Sequence, residues 1–338
     1  MYECILEIRI MTTVILFHKT CLYDDINNKT IIYGQYKRKF NTINIENEEG
    51  KPKCEYNVEF CRNRKDFYIE CSNKITHLKE VSFNYNSHEV KLNNILLQFP
   101  FDGFDLSLNS DSTIISTFCK DYAFRLDEWI EYNLRLGFAG IIVFNNDGNK
   151  KNIINEPLSR TDTVESTSEI CKKYTGKVWE VEYDYEPLRG NHYDTLQRIS
   201  LHIGVNALKN KCRRIALIDA DEFIHLPKKT DMKIEDFLQS YNGNAVTMKS
   251  NILTNIEEDD IINNNILDIA MYVGEDKYTK TILDTSVLSH SEFIVTPHNH
   301  PTEVILEKSE IIHYHCWINK RYSYDDSMPK IEFLKNDK

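Results

Sequence analysis

The chain reads Arg214-Ile-Ala-Leu-Ile-Asp219-Ala-Asp221-Glu222-Phe223-Ile224 at its most informative point. A short apolar run leads straight into three carboxylates. An apolar run without polar alternation suits a strand buried on both faces, as in parallel sheets sandwiched between helices. Ligands of such sheets bind outside the carboxyl ends of the strands. Asp219 and Asp221 are two residues apart, so in extended chain they can share a face. Converging carboxylates repel unless a cation lies between them. Hard oxygen donors of this kind suit Mg²⁺ or Mn²⁺, with substrate phosphates completing the shell. The plain structural explanation is an acidic helix start or surface loop, since Asp and Glu favour first turns. The buried strand before the acids and the apolar Phe223-Ile224 after them favour a site.

Reading upstream, strands and helices alternate from about Asp111. Thr113–Cys119 is a buried strand. Tyr122–Leu136 has helical spacing and a natural stop at Gly137. Phe138–Asn145 is a second strand, ending in Asn146-Asp147-Gly148. A helix ends at Gly176, Lys177–Tyr185 is a third strand, and His192–Lys211 is a long helix. This alternation predicts a mostly parallel α/β sheet with right-handed crossovers. Downstream, the pattern predicts a short helix over Ile234–Tyr241 and strands at Ala245–Lys249, Phe293–Thr296 and Glu310–His315.

The first hundred residues read differently. Cys4–Ile10, Thr12–Phe17, Thr30–Tyr36, Cys54–Phe60, Asp66–Cys71 and Val81–Tyr85 are β-rich runs between Asn-rich turns. Asn41–Lys53 reads as a long polar loop. The division expected is a small β-rich accessory domain over 1–108 and a catalytic domain over 109–338.

The 338 residues carry a formal charge of -11. That surplus and the lack of a basic stripe argue against nucleic acid and anionic membranes as partners. No apolar run reaches the roughly 20 residues of a transmembrane helix. Glu7 and Arg9 interrupt the apolar start in a way unlike a signal peptide. The nine cysteines are scattered with no CxxC pair. Reduced thiols in a cytoplasmic setting are the expectation.

Several blocks resemble the GT-A type glycosyltransferases, closest to family 92 and its family-2-like relatives. They are Cys119-Lys120-Asp121-Tyr122-Ala123, Glu128-Trp129-Ile130-Glu131-Tyr132-Asn133 with Leu136-Gly137, Val143-Phe144-Asn145-Asn146-Asp147, Asp219-Ala220-Asp221-Glu222-Phe223, and His313-Tyr314. They keep the family's order over residues 113 to 317. Asn133 stands where the family often has His, and Gly148 where it often has Ser. The second departure bears on nucleotide specificity.

The resemblance implies a GT-A fold and transfer of a sugar from a nucleotide diphosphate donor, with inversion. A UDP-linked donor, galactose as the sugar and a glycan or other hydroxyl acceptor are expected. Mn²⁺ or Mg²⁺ would be the cofactor, with Asp221 the first ligand and Asp219 binding metal or ribose. The resemblance implies a further ligand from the late block, and His313 and His315 alternate as a strand would present them. Lys120, Asp121, Asn145, Asn146 and Asp147 follow strand ends, where base and ribose would sit. Arg189, His192 and Gln197 cluster at a helix start that could hold phosphate or simply be capped. Inversion needs a carboxylate base, for which Glu222 and Asp284 are the candidates. Lys280 is either a cation near the diphosphate or a solvated lysine. His298 and His300 belong to the acceptor side or to a polar loop. Trp129 falls on an apolar helix face and reads as core, while Trp317 could stack on a sugar.

Two other classes compete. A strand ending in Asp-x-Asp also opens phosphatases and phosphotransferases of the haloacid-dehalogenase type, which place Thr or Val soon after the second Asp. Here Glu222-Phe223 follows, and three strands precede the motif. The other alternative is an inactive glycosyltransferase-like binding module. Retaining converged carboxylates without purpose would cost stability.

Overall fold

The computed structural model describes residues 15–37, 42–47, 56–60, 65–85, 88–120, 122–147, 165–188, 191, 193–227, 232–241, 244–254, 271–287, 297–298, 303–306 and 311–316. The chain forms two compact units. One comprises residues 1–104 with 185–203, the other 105–184 with 204–338.

The first unit is antiparallel β structure. Strands β1 (Ile15–Asp24), β2 (Lys29–Tyr36), β4 (Tyr56–Phe60) and β5 (Asp66–Ser72) form a sheet in the order β1-β2-β5-β4. Strands β3 (Thr42–Asn47), β6 (His77–Tyr85) and β7 (His88–Leu96) form another. Alternation explains its core. Ile32, Tyr36, Phe67, Ile69 and Cys71 turn inward, joined by Ile45, Leu78 and Val81. β3 corrects the expected loop over 41–53. Its short Thr-Ile-Asn-Ile alternation buries Ile45, a signal that the surrounding Asn and Glu mask. The run predicted at Cys4–Ile10 lies outside the described residues.

The second unit is built on a nine-stranded mixed sheet, ordered β10-β9-β8-β11-β14-β13-β16-β12, with β15 paired to β13. Its members are β8 (Thr113–Cys119), β9 (Gly140–Asn145), β10 (Val178–Glu182), β11 (Arg214–Leu217), β12 (Glu222–His225), β13 (Ala245–Thr254), β14 (Met271–Asp284), β15 (Glu303–Leu306) and β16 (Ile312–Cys316). β10, β9, β8 and β11 run parallel. β14 is antiparallel to both β11 and β13. The unit is thus α/β with a mostly parallel sheet, alongside a small antiparallel β unit, as the sequence predicts at that level.

Helices α1 (Ala123–Leu136), α2 (Thr167–Lys173) and α4 (Ile234–Gln239) cover one face. Trp129, Ile130, Ile170 and Phe237 pack there against Ile115, Val143 and Ala216. α1 stops where expected. Gly137 takes φ 102°, a left-handed conformation that a side chain would strain, and its N–H closes on the helix carbonyls. α3 (Tyr193–Leu208) begins in the first unit and ends in the second. On the opposite sheet face, a Cβ at Gly204 would meet Ser116 Oγ at 2.6 Å, so a side chain there would push the Ser116 hydroxyl aside.

The predicted strand at Phe293–Thr296 lies outside the described residues. β14 and β12 were not anticipated. β14, the longest strand among the described residues at 14 residues, is central in the sheet.

Candidate active site

From β8 the chain adds β9 and β10 on one side, then returns to lay β11 on the other. The carboxyl ends of β8 and β11 therefore flank a topological switch point, where open α/β sheets bind ligands. Lys120 follows β8 and Asp219 follows β11 by two residues.

Asp219, Asp221 and Glu222 converge there, with their ligand oxygens within 4.8 Å of one another. The loop is closed by its own groups. Glu222 Oε2 accepts the Asp219 backbone N–H at 2.7 Å. The Glu222 N–H donates to the Asp219 carbonyl at 3.1 Å. Lys280, on β14, donates from Nζ to Asp219 Oδ2 at 2.7 Å and lies 3.0 Å from Glu222 Oε2.

Lys280 is 2% exposed, so the alternative of a solvated surface lysine is overturned. Burial alone would lower its pKa. The charges of Asp219 and Glu222 outweigh that and hold it above the ordinary lysine value. Asp219 is pushed up to about 6, first by burial, then by the Glu222 charge, against the pull of Lys280. One ammonium offsets only one of three carboxylates. The cluster keeps a negative surplus and an all-oxygen donor set, which fits Mg²⁺ or Mn²⁺. Asp219 and Asp221 are the half-buried members, and Glu222 is buried.

The cluster rests on α1. Trp129 Nε1 donates to the Glu222 carbonyl at 2.7 Å, and the Tyr132 hydroxyl to the Ile224 carbonyl at 2.6 Å. β12 is an edge strand of four residues, and these bonds occupy carbonyls on it. Trp129 is fully buried, in keeping with its reading as core.

The β8–β9 ends form a second polar group. Lys120 Nζ donates to Asn146 Oδ1 at 3.3 Å. Asn146 Nδ2 donates to the Tyr183 carbonyl, and Asn145 Nδ2 to Glu180 and Ser168. Asp147 Oδ2 accepts from the Thr167 hydroxyl at 2.9 Å. Asn145, Asn146 and Asp147 are buried, so their side chains build the loop. Lys120 is half-buried beside it.

Backbone register places His315 opposite Glu222 and His313 opposite Ile224 on β16. Asp284 is separated from the cluster. It pairs in register with Arg214, at the far end of β11, and accepts from Ser286. Five residue steps of chain, about 16 Å if extended, separate Arg214 from Asp219. Glu222 is spoken for by Lys280 and the Asp219 N–H. Of the two carboxylates named as base candidates, Asp284 thus stands away from the cluster and Glu222 is held within it. Gln197 lies on α3 within the first unit, where its carbonyl accepts from Ser200. Asp121, Arg189, His192 and His300 lie outside the described residues, as does Trp317.

Sequence reasoning missed the bond between Lys280 and both acids, and the service of Trp129 and Tyr132 to β12. A lysine inside the β-prone run Tyr278-Thr279-Lys280-Thr281-Ile282-Leu283 was the available signal. No protein-family model matches the chain, and no curated protein is significantly similar to it.

Proposed function

We propose that the chain is a metal-dependent glycosyltransferase of the GT-A type, moving a sugar from a nucleotide diphosphate donor to a hydroxyl acceptor. The observation that carries the reading is the acidic cluster at the carboxyl end of β11, braced by a buried lysine beside the switch point.

Sugar transfer from such a donor has a diphosphate leaving group and an anomeric carbon that becomes cationic. A divalent ion at Asp219 and Asp221 would supply charge neutralisation on the departing oxygens. Lys280 fixes the Asp219 carboxylate and Glu222 its backbone N–H, so this part of the donor set is organised before ligand arrives. Lys120, at the end of β8, is within the crevice where base and ribose would bind. UDP is the first donor base to test and galactose the first sugar, with inversion the expected outcome. Residues 1–108 carry no donor chemistry in this reading.

Donor binding is tested by thermal shift with UDP, GDP, CDP and their sugars, with and without Mn²⁺, on the native chain and on Asp221→Ala. Ligand at a hundredfold excess over its Kd stabilises by about 2.7 kcal/mol. A metal-dependent shift with one nucleotide family, lost in the variant, is the expected result. No shift from any nucleotide in a well-folded sample would sink the reading. Turnover of a simple aryl phosphate by the same sample would turn it toward a phosphatase.

A further inference from the structure

β14 overhangs the carboxyl end of β11. The two strands are antiparallel and pair last at Leu217 and Thr281. Residues of β14 before Thr281 therefore continue past the end of β11, on the side of the acidic cluster. Lys280 does so and reaches Asp219. Tyr278 is two residues further out, on the same strand face as Lys280 and about 7 Å along.

Tyr278 is 51% exposed. Its neighbour is the imidazole of His298, with ring centroids 5.5 Å apart and planes inclined by 36°. His298 is fixed to β14 twice over. Its Nδ1 lies 2.6 Å from the Thr279 carbonyl, and the Thr279 hydroxyl donates to the His298 carbonyl. A flat ring is thus held open to water beside a fixed neighbour, one pleat from the buried Lys280.

The strand order assigns this ring a side. The switch point, with Lys120, lies between β8 and β11, whereas β14 lies on the other side of β11. With the nucleotide toward β8 and the diphosphate over the cluster, the β14 side is left for the second substrate. We propose that Tyr278, braced by His298, is the platform on which a pyranose ring of the acceptor stacks. The C–H face of a sugar is apolar and its rim is polar. That matches a phenol, whose ring is apolar and whose hydroxyl is not. This inference rests on the transferase reading above.

Saturation-transfer NMR tests it, using the methyl pyranosides of glucose, galactose, mannose and N-acetylglucosamine as probes at millimolar concentration. The expected result is transfer to the ring C–H protons of at least one pyranoside. It should be lost in Tyr278→Ala and kept in Tyr278→Phe, which preserves the ring. Mn²⁺ affinity, read on the same samples, reports whether each variant keeps the acidic cluster. Absence of transfer from any pyranoside, or equal transfer in Tyr278→Ala, overturns the platform. Loss of UDP binding with unchanged sugar contact in Tyr278→Ala also overturns it, because the ring would then serve the nucleotide. Failure of the native chain to bind any nucleotide, with stacking retained, defeats the transferase reading and leaves a sugar-binding surface.

Discussion

Lys280 is a buried cation whose partners are two carboxylates, Asp219 and Glu222. Removing one side of a buried ion pair leaves the other charge desolvated, at a cost of about 3–5 kcal/mol. Lys280→Met should lose stability of that order at pH 7 in urea unfolding, and Mn²⁺ should restore more stability to the variant than to the native chain. A variant as stable as the native chain would mean the cluster does not need its ammonium. Asp219 adds a pH dependence whose sign follows from its pKa, raised from 3.8 to about 6 in the fold. Between those values the folded chain binds more protons at this group than the unfolded chain does. Its contribution to stability therefore falls as pH rises through the window, and ionised Asp219 is a strained group at neutral pH. Metal must displace that proton below pH 6. Apparent Mn²⁺ affinity should be nearly flat above this point and fall about tenfold per pH unit beneath it. Calorimetric titration between pH 5 and 8 would detect the break, and a flat profile would remove Asp219 from the ligand set.

At the level of elements, the acids are held less by β11 than by what surrounds it. α1 presents Trp129 and Tyr132 one turn apart, and both reach carbonyls of β12. Tyr132→Phe keeps the ring in the core and removes the bond to Ile224. An orphaned buried carbonyl costs about 1–3 kcal/mol. The variant should lose that much stability and bind Mn²⁺ more weakly, because Glu222 lies two residues away on the same strand. Tyr23→Phe, which deletes a hydroxyl bonded to exposed Asn28, is the matched control and should be close to neutral. Equal effects at both positions would deny α1 its special part. The spacing of Trp129 and Tyr132 was legible in the sequence, as were β8, β9, β11 and the stop at Gly137, because each rests on local pattern. β12 was not, since its four residues merge into the acidic motif. β14 was not either. Gly274, Glu275, Asp276, Lys277 and Lys280 interrupt any apolar period, and Lys280 is buried only by virtue of partners sixty residues away in the chain. Ion pairing across a sheet leaves no periodic trace.

At the scale of the whole molecule, the chain does not divide where its composition changes. The sequence suggests a boundary near residue 108, but the first compact unit also holds residues 185–203. Gln35, buried on β2, shows why. Its Oε1 accepts from the Leu188 N–H at 3.1 Å, and its Nε2 lies 3.1 Å from His18 Nε2. Tyr185 stacks on His18 at 4.2 Å, and the Thr20 N–H donates to its hydroxyl. Further along, Arg198 lies 3.7 Å from the fully buried Asp66, and His202 packs on Tyr33 and Tyr68. These are polar, desolvated contacts, which are expensive when half of each pair is removed. A fragment over 109–338 retains Arg198 and His202 but loses the sheet they pack on. It should therefore fail to unfold cooperatively and should aggregate, while the full chain melts in a single transition. Adding residues 1–104 as a separate chain should recover solubility and Mn²⁺ binding, since each piece supplies what the other lacks. Circular dichroism melts of the fragment alone and of the pair would decide it. A soluble 109–338 fragment with a sharp melt and native Mn²⁺ affinity would show that the β-rich region is an accessory after all. The opposite outcome would make it part of the folding unit that carries the segment leading into α3.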